Sequence, residues 1–184
     1  RVLMTGNEAI ARGLLEGGVS VATAYPGTPS SEILSAFVRI SKENDLNVYA
    51  EWAINEKVAF EISFAASLCG LRAATIMKHL GTHWILDPLA VSAVTGIRGG
   101  LVVISADDPA PLSSQSSTDT RNHAKLAHIL AVEPSDPAEA KELVKETIIL
   151  SEKVGLPAIF RYTDRIAHGR APIVLGDLHT EMHR

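Results

Sequence analysis

The chain has 184 residues, 46% of them hydrophobic and 21% charged, with a formal net charge of −4. That length and composition allow a sizeable core and argue against disorder. No apolar stretch runs far enough without a charge or breaker to span a bilayer. The basic residues are scattered rather than clustered, which removes the electrostatic footprint of a nucleic-acid binder.

In chain order, a leading helix is expected over residues 7–15, opened by Thr5 with Glu8 three positions on. An apolar run at 19–24 reads as a buried parallel strand. It runs into Tyr25-Pro26-Gly27-Thr28-Pro29-Ser30-Ser31-Glu32, where Gly27 suits a turn, Thr28 reads as a helix N-cap and Pro29 as the first helical residue. A helix over 30–43 follows, then a strand at 47–50, a helix over 55–68 and a strand at 73–78. Beyond these come a helix at 88–95 behind Asp87-Pro88, a strand at 101–106, a helix over 121–130 and a strand at 131–133. Asp136-Pro137-Ala138-Glu139 then opens a helix over 137–154, and a last strand occupies 158–162. The polar segment from Asp107 to Thr120 is long for a βα connection, and such connections are usually functional or mobile.

This βα repeat predicts one domain over 1–184: a three-layer, doubly wound α/β fold with a mostly parallel sheet of about six strands and helices on both faces. The lone Cys69 sits in an apolar helical stretch and reads as core, and one cysteine suits a reducing, cytoplasmic setting. Because Arg1 is not an initiator methionine, the chain is expected to be processed or cut from something larger.

Ligands of open α/β sheets bind beyond the carboxyl ends of the strands. Four junctions there carry polar groups: Tyr25 and Thr28; Glu51, Asn55 and Glu56; Lys78, His79 and His83; Asp107, Asp108 and the serine-rich segment. Glu56 opens a strongly apolar helix. Its carboxylate is either partly buried and poised for proton exchange with a ring nitrogen, or simply stabilised by the helix terminus. G-x-G-x-x-G, Walker A and G-x-S-x-G patterns are absent. His179 and His183 have helical metal-ligand spacing without a convincing third ligand. His123 and His128 read as helix-surface residues, and Trp52 and Trp84 as packing anchors.

Gly6-Asn7-Glu8-Ala9, the 25–32 octet, Asn55-Glu56-Lys57-Val58-Ala59, Met77-Lys78-His79, and Ser113-Ser114-Gln115 with Asp119 and Arg121 occur in a telling order. Together they resemble the N-terminal domain of the large subunits of indolepyruvate ferredoxin oxidoreductases, within the thiamine-diphosphate-dependent 2-oxoacid ferredoxin oxidoreductases. The resemblance covers nearly the whole chain.

It implies a pyrimidine-binding domain in which Glu56 hydrogen-bonds the cofactor's pyrimidine nitrogen and so favours the imino tautomer that removes the thiazolium C2 proton. Tyr25 and Pro26 would flank the cofactor, and Thr28, Lys78, His79, Asp107 and Asp108 the substrate; for Thr28 the cap role is the alternative. An aryl pyruvate would lose carbon dioxide, coenzyme A would take the acyl group, and electrons would pass through iron–sulfur clusters to ferredoxin. The family holds diphosphate and Mg2+ on a separate domain through a Gly-Asp-Gly motif, which Gly176-Asp177-Leu178 does not match, and one cysteine cannot ligate a four-thiolate cluster. The expected partners are therefore that diphosphate domain, a smaller subunit and ferredoxin, in an oligomer, and the isolated chain is expected to bind cofactor weakly and turn over nothing. The segment Gly81-Thr82-His83-Trp84 departs from the family pattern and leaves substrate choice open. A thiamine enzyme for another 2-oxoacid and a non-catalytic assembly module are the alternatives.

Overall fold

The computed structural model describes residues 1–110 and 114–178. Strands β2 (Val21–Ala24), β3 (Tyr49–Trp52), β4 (Ala73–Lys78), β5 (Leu101–Asp107), β6 (Leu130–Val132) and β7 (Ala158–Thr163) form one parallel sheet in the order β3-β2-β4-β5-β7-β6. Helices α1 (Gly6–Glu16), α2 (Ser31–Glu43) and α7 (Pro137–Val154) cover one face; α3 (Glu56–Leu68), α5 (Leu86–Thr95) and α6 (Arg121–Ala127) cover the other. The three-layer, doubly wound expectation holds.

Strand alternation divides the core between the two faces. Ala74 and Ile76 of β4 and Val102 and Ile104 of β5 join Phe37, Val144 and Phe160 on the first side. Ala73 and Met77, with Leu101 and Val103, join Phe60, Leu89 and Ala124 on the second. Each fully buried Phe or Ile contributes about 1.5–3 kcal/mol by leaving water. The strands are apolar on both faces, as a sheet covered on both sides requires.

Explicit caps set several helix starts. Thr5 and Glu8 form a capping box at α1, and the Asp136 carboxylate accepts the Ala138 and Glu139 amides at α7 at 2.7 and 2.9 Å. Asp87 caps nothing, since α5 starts one residue before it. Helix α6 stops at Ala127 rather than at 130, because His128 takes a left-handed conformation and its amide turns back to Ala124 and Lys125. Strand β3 begins two residues later than expected, since its register pairs Val21 with Tyr49.

Four elements escape the sequence pattern. Strands β1 (Val2–Thr5) and β8 (Arg170–Ile173) pair antiparallel in a separate ribbon, and the short helices α4 (His79–Trp84) and α8 (Asp164–His168) follow directly on β4 and β7. Cys69, expected in the core, is instead the exposed C-cap of α3. His123, expected on the surface, is buried, while Trp52 and Trp84, expected to pack inside, are 44% and 72% exposed. Among the described residues no helix is long and apolar enough to cross a membrane.

Candidate functional site

After β2 the chain runs outward to the edge strand β3 and then returns across β2 to β4, so its winding reverses between β2 and β4. Helix α2 leaves over one face and α3 comes back over the other, which opens a crevice beyond the carboxyl ends of these strands. A cavity of about 710 Å³ lies there, a volume typical of small-molecule sites. The first junction supplies Tyr25, Pro26 and Gly27, the second Asn55, Glu56 and Lys57, and the third Lys78, Leu80 and Trp84. Gln115 reaches in from the long segment after β5.

The first junction is folded by its own hydroxyls. The Gly27 carbonyl accepts the Ser30 amide and hydroxyl, both at 2.8 Å, and the Gly27 amide donates to Ser31 Oγ at 2.9 Å. These bonds hold the turn through Ser30, so α2 starts at Ser31 with Ser30 at its cap position and no side-chain cap bond. Thr28 is therefore not the N-cap and Pro29 is not the first helical residue, and the Thr28–Pro29 peptide is cis. Released from capping, Thr28 borders a second cavity of about 180 Å³ with Lys78, Asp108, Asp164 and His168.

Asn7, buried in α1, explains why an N-terminal motif belongs with this junction. Its amide donates to the Pro29 carbonyl at 2.8 Å and to Glu32 Oε2 at 2.9 Å, and its oxygen accepts the Tyr162 hydroxyl at 3.0 Å. Burial pushes the Tyr162 phenol well above its ordinary range, which keeps the donor proton in place.

The second junction turns on Asn55. Its extended backbone and Oδ1, which accepts the Val58 amide at 2.8 Å, start α3 abruptly and make Glu56 the first helical residue. Glu56 is half-buried beside Ala59 and Phe60, and among the described residues nothing hydrogen-bonds or pairs with its carboxylate. It stands where the helix dipole favours a negative charge, and it faces the larger cavity.

Lys78 ends β4 with its side chain 13% exposed. It donates to Ser114 Oγ, which donates to Asp108 Oδ2 at 2.9 Å, and its own distance to Asp108 is 3.8 Å. Gly27 lets it lie close, since a Cβ there would meet the Lys78 Cβ at 3.2 Å. Lys78 borders both cavities.

His79 and Asp107 border neither cavity and hold Ser116 and Thr120 instead. His79 is fully buried, its Nε2 is 2.8 Å from the Ser116 carbonyl, and its Nδ1 has no partner among the described residues. Asp107, also fully buried, accepts the Thr120 hydroxyl and amide at 2.7 and 3.1 Å and Arg161 Nε at 2.8 Å. Arg161 donates in turn to Glu133. His123 packs edge-on against His83 with ring centroids 4.8 Å apart. The Thr82 hydroxyl gives its one hydrogen to the His79 carbonyl at 2.6 Å, so the 2.9 Å contact with His123 Nδ1 has the ring N–H as donor.

Of the residues singled out from sequence, Tyr25, Pro26, Glu56 and Lys78 meet in the larger cavity, and Thr28, Lys78 and Asp108 in the smaller. Ser113, His179 and His183 lie outside the described residues. Lys57, Leu80, Asp164 and His168 also line these cavities. Leu80 and His168 ride on the short helices that follow strands without a break, so no local pattern marks them.

A family model described as pyruvate flavodoxin/ferredoxin oxidoreductase, thiamine diphosphate-binding, matches residues 12–184. The chain is similar to indolepyruvate oxidoreductase subunit IorA of Pyrococcus horikoshii, 48% identical over 182 residues, which are 99% of this chain and 28% of that protein. The corresponding subunit of Archaeoglobus fulgidus is 47% identical over 97% of this chain and 29% of its own length. Among solved structures, 2-oxoglutarate:ferredoxin oxidoreductase from Magnetococcus marinus superposes with a TM-score of 0.81 at 18% identity, over 94% of this chain and 31% of that one. That likeness concerns the fold, and the chain spans less than a third of each of these proteins.

Proposed function

The chain belongs to the pyruvate flavodoxin/ferredoxin oxidoreductase family of thiamine-diphosphate-binding domains, and from that membership we propose that it is the pyrimidine-binding domain of a longer subunit that oxidatively decarboxylates aryl pyruvates such as indolepyruvate. The observation that carries this reading is the Glu56 carboxylate, unpartnered among the described residues and facing a roomy cavity at the switch point of the sheet. An aminopyrimidine is a flat ring with a basic nitrogen. Tyr25, Leu80 and Trp84 offer it apolar walls, and Glu56 offers the acid.

Thiamine diphosphate, when bound, supplies a carbon nucleophile and an electron sink for decarboxylation. Glu56 holds a proton against the pyrimidine ring nitrogen and returns it, while Tyr25 and Pro26 flank the ring. Lys78 draws in the carboxylate of the 2-oxoacid by charge, and the Thr28 hydroxyl, freed from capping, donates to a substrate oxygen. His79, Asp107 and Asp108 act on substrate indirectly, through Ser116, Thr120 and Lys78 respectively.

Among the described residues no group of three or more His, Cys, Asp or Glu side chains is arranged to hold a metal ion. On the reading from family membership, Mg2+ and the diphosphate would belong to a separate domain, and iron–sulfur clusters, coenzyme A, a smaller subunit and ferredoxin to the rest of an oligomeric, cytoplasmic enzyme. The greater length of the relatives supports this division. The test is coenzyme-A-dependent ferredoxin reduction by the assembled enzyme, with indolepyruvate, phenylpyruvate, pyruvate and 2-oxoglutarate compared by kcat/KM. Aryl pyruvates are expected to lead, and the isolated chain to turn over none. Preference for pyruvate or 2-oxoglutarate would transfer the chain to another 2-oxoacid, and no reduction with any of them would leave an assembly module.

A further inference from the structure

Gly81, the third residue of α4, is buried and lies directly against Glu56. A Cβ at this position would stand 3.0 Å from Glu56 Oε1, 3.1 Å from its Cδ and closer still to its Cγ. These three atoms, all on the Glu56 side chain, are the nearest that such a Cβ would meet. The backbone at Gly81 is helical, without the positive φ that would itself demand glycine. Inside a helix glycine is less stabilising than alanine. Neither backbone conformation nor helix stability accounts for it, whereas the space it leaves is the space Glu56 occupies.

We propose that Gly81 is the positioning residue of the site: its missing side chain lets the α4 backbone serve as the wall on which Glu56 is laid, and that wall sets where the carboxylate enters the cavity. This rests on the role given to Glu56 above. Gly27 does not share the part, because a Cβ there would meet Lys78 rather than Glu56. Since no described residue pairs with the Glu56 carboxylate, a methyl group at Gly81 moves it without breaking a bond that holds the fold. The consequence is unusual for a buried substitution: the site is lost while stability is kept.

The experiment places Gly81→Ala, Glu56→Ala and the double variant in the assembled oxidoreductase. It measures the thermal midpoint without cofactor, the calorimetric affinity for thiamine diphosphate with Mg2+, and C2-proton exchange at saturating cofactor. Gly81→Ala is expected to leave the midpoint unchanged or raised, weaken affinity about tenfold through loss of a charged hydrogen bond, and slow exchange on the order of 10²-fold, as about 1 Å of misplacement does. In the Glu56→Ala background, where the obstructed side chain is gone, the same substitution is expected to add nothing. An equal loss in both backgrounds, a lowered midpoint, or wild-type affinity and exchange in Gly81→Ala would overturn the proposal. Unchanged affinity and exchange in Glu56→Ala itself would instead overturn the role of Glu56.

Discussion

Lys78 shows how much one residue depends on its neighbours. Its ammonium lies between two cavities, bonded to Ser114 and 3.8 Å from Asp108, in a side chain that is mostly buried. A substrate carboxylate arriving there competes with Asp108 for the same charge, so the aspartate opposes binding as well as positioning the lysine. A hydrogen bond to a charged group is worth about 1.5–3 kcal/mol. Lys78→Met is therefore expected to raise KM for the 2-oxoacid on the order of 10- to 100-fold. Asp108→Asn, which removes the competitor, is expected to lower it. Steady-state kinetics of the assembled enzyme check both directions, and an unchanged KM in Lys78→Met would remove Lys78 from the substrate site.

Helix α4 carries Leu80 and Trp84 to the cavity and Gly81 to Glu56, and it is backed by α6 through Thr82, His83 and His123. Burial pushes the His123 imidazole below its ordinary 6.5, and the neighbouring His83 adds to this, while Asp107 and Asp119 act in the opposite direction. The folded state thus holds a neutral ring where the unfolded chain takes up a proton. Stability contributed by this group is present above about 6.5 and is lost as pH falls below that value toward the folded-state pKa. His123→Asn removes the titrating ring and is expected to flatten that part of the profile. Denaturant unfolding from pH 8 down to pH 5, a range of about three units around the ordinary His pKa, reads the difference. Parallel profiles for the two proteins would show that His123 does not carry the dependence.

Across the whole molecule, legibility follows the range of the forces involved. The parallel sheet and its covering helices are written locally, in apolar runs and in caps such as Thr5 with Glu8 and Asp136, and these stand where expected. The β1–β8 ribbon joins Val2 to Ile173 and has no local pattern to announce it. Asp107 is a substrate residue by the resemblance alone; Arg161, far along the chain, consumes its charge. Thr28 looked like a cap until the hydroxyls of Ser30 and Ser31 closed the turn on Gly27. The grouping of Tyr25, Glu56 and Lys78 became visible only through the return of the chain across β2, although the order of their motifs had pointed to a shared family.

The exposed Trp52, Ile54 and Trp84 are 44%, 82% and 72% accessible, and Trp84 lines the cavity itself. Such a rim suits a site that closes only against a second domain. The central claim is that Glu56 is the acid serving the pyrimidine nitrogen, and Glu56→Gln in the complete enzyme tests it most directly, because the amide keeps the size of the side chain and removes its proton exchange. With thiamine diphosphate saturating, the C2 proton should exchange about 10²–10⁴-fold more slowly, the usual weight of a positioned acid–base group. Exchange at the wild-type rate would contradict the account.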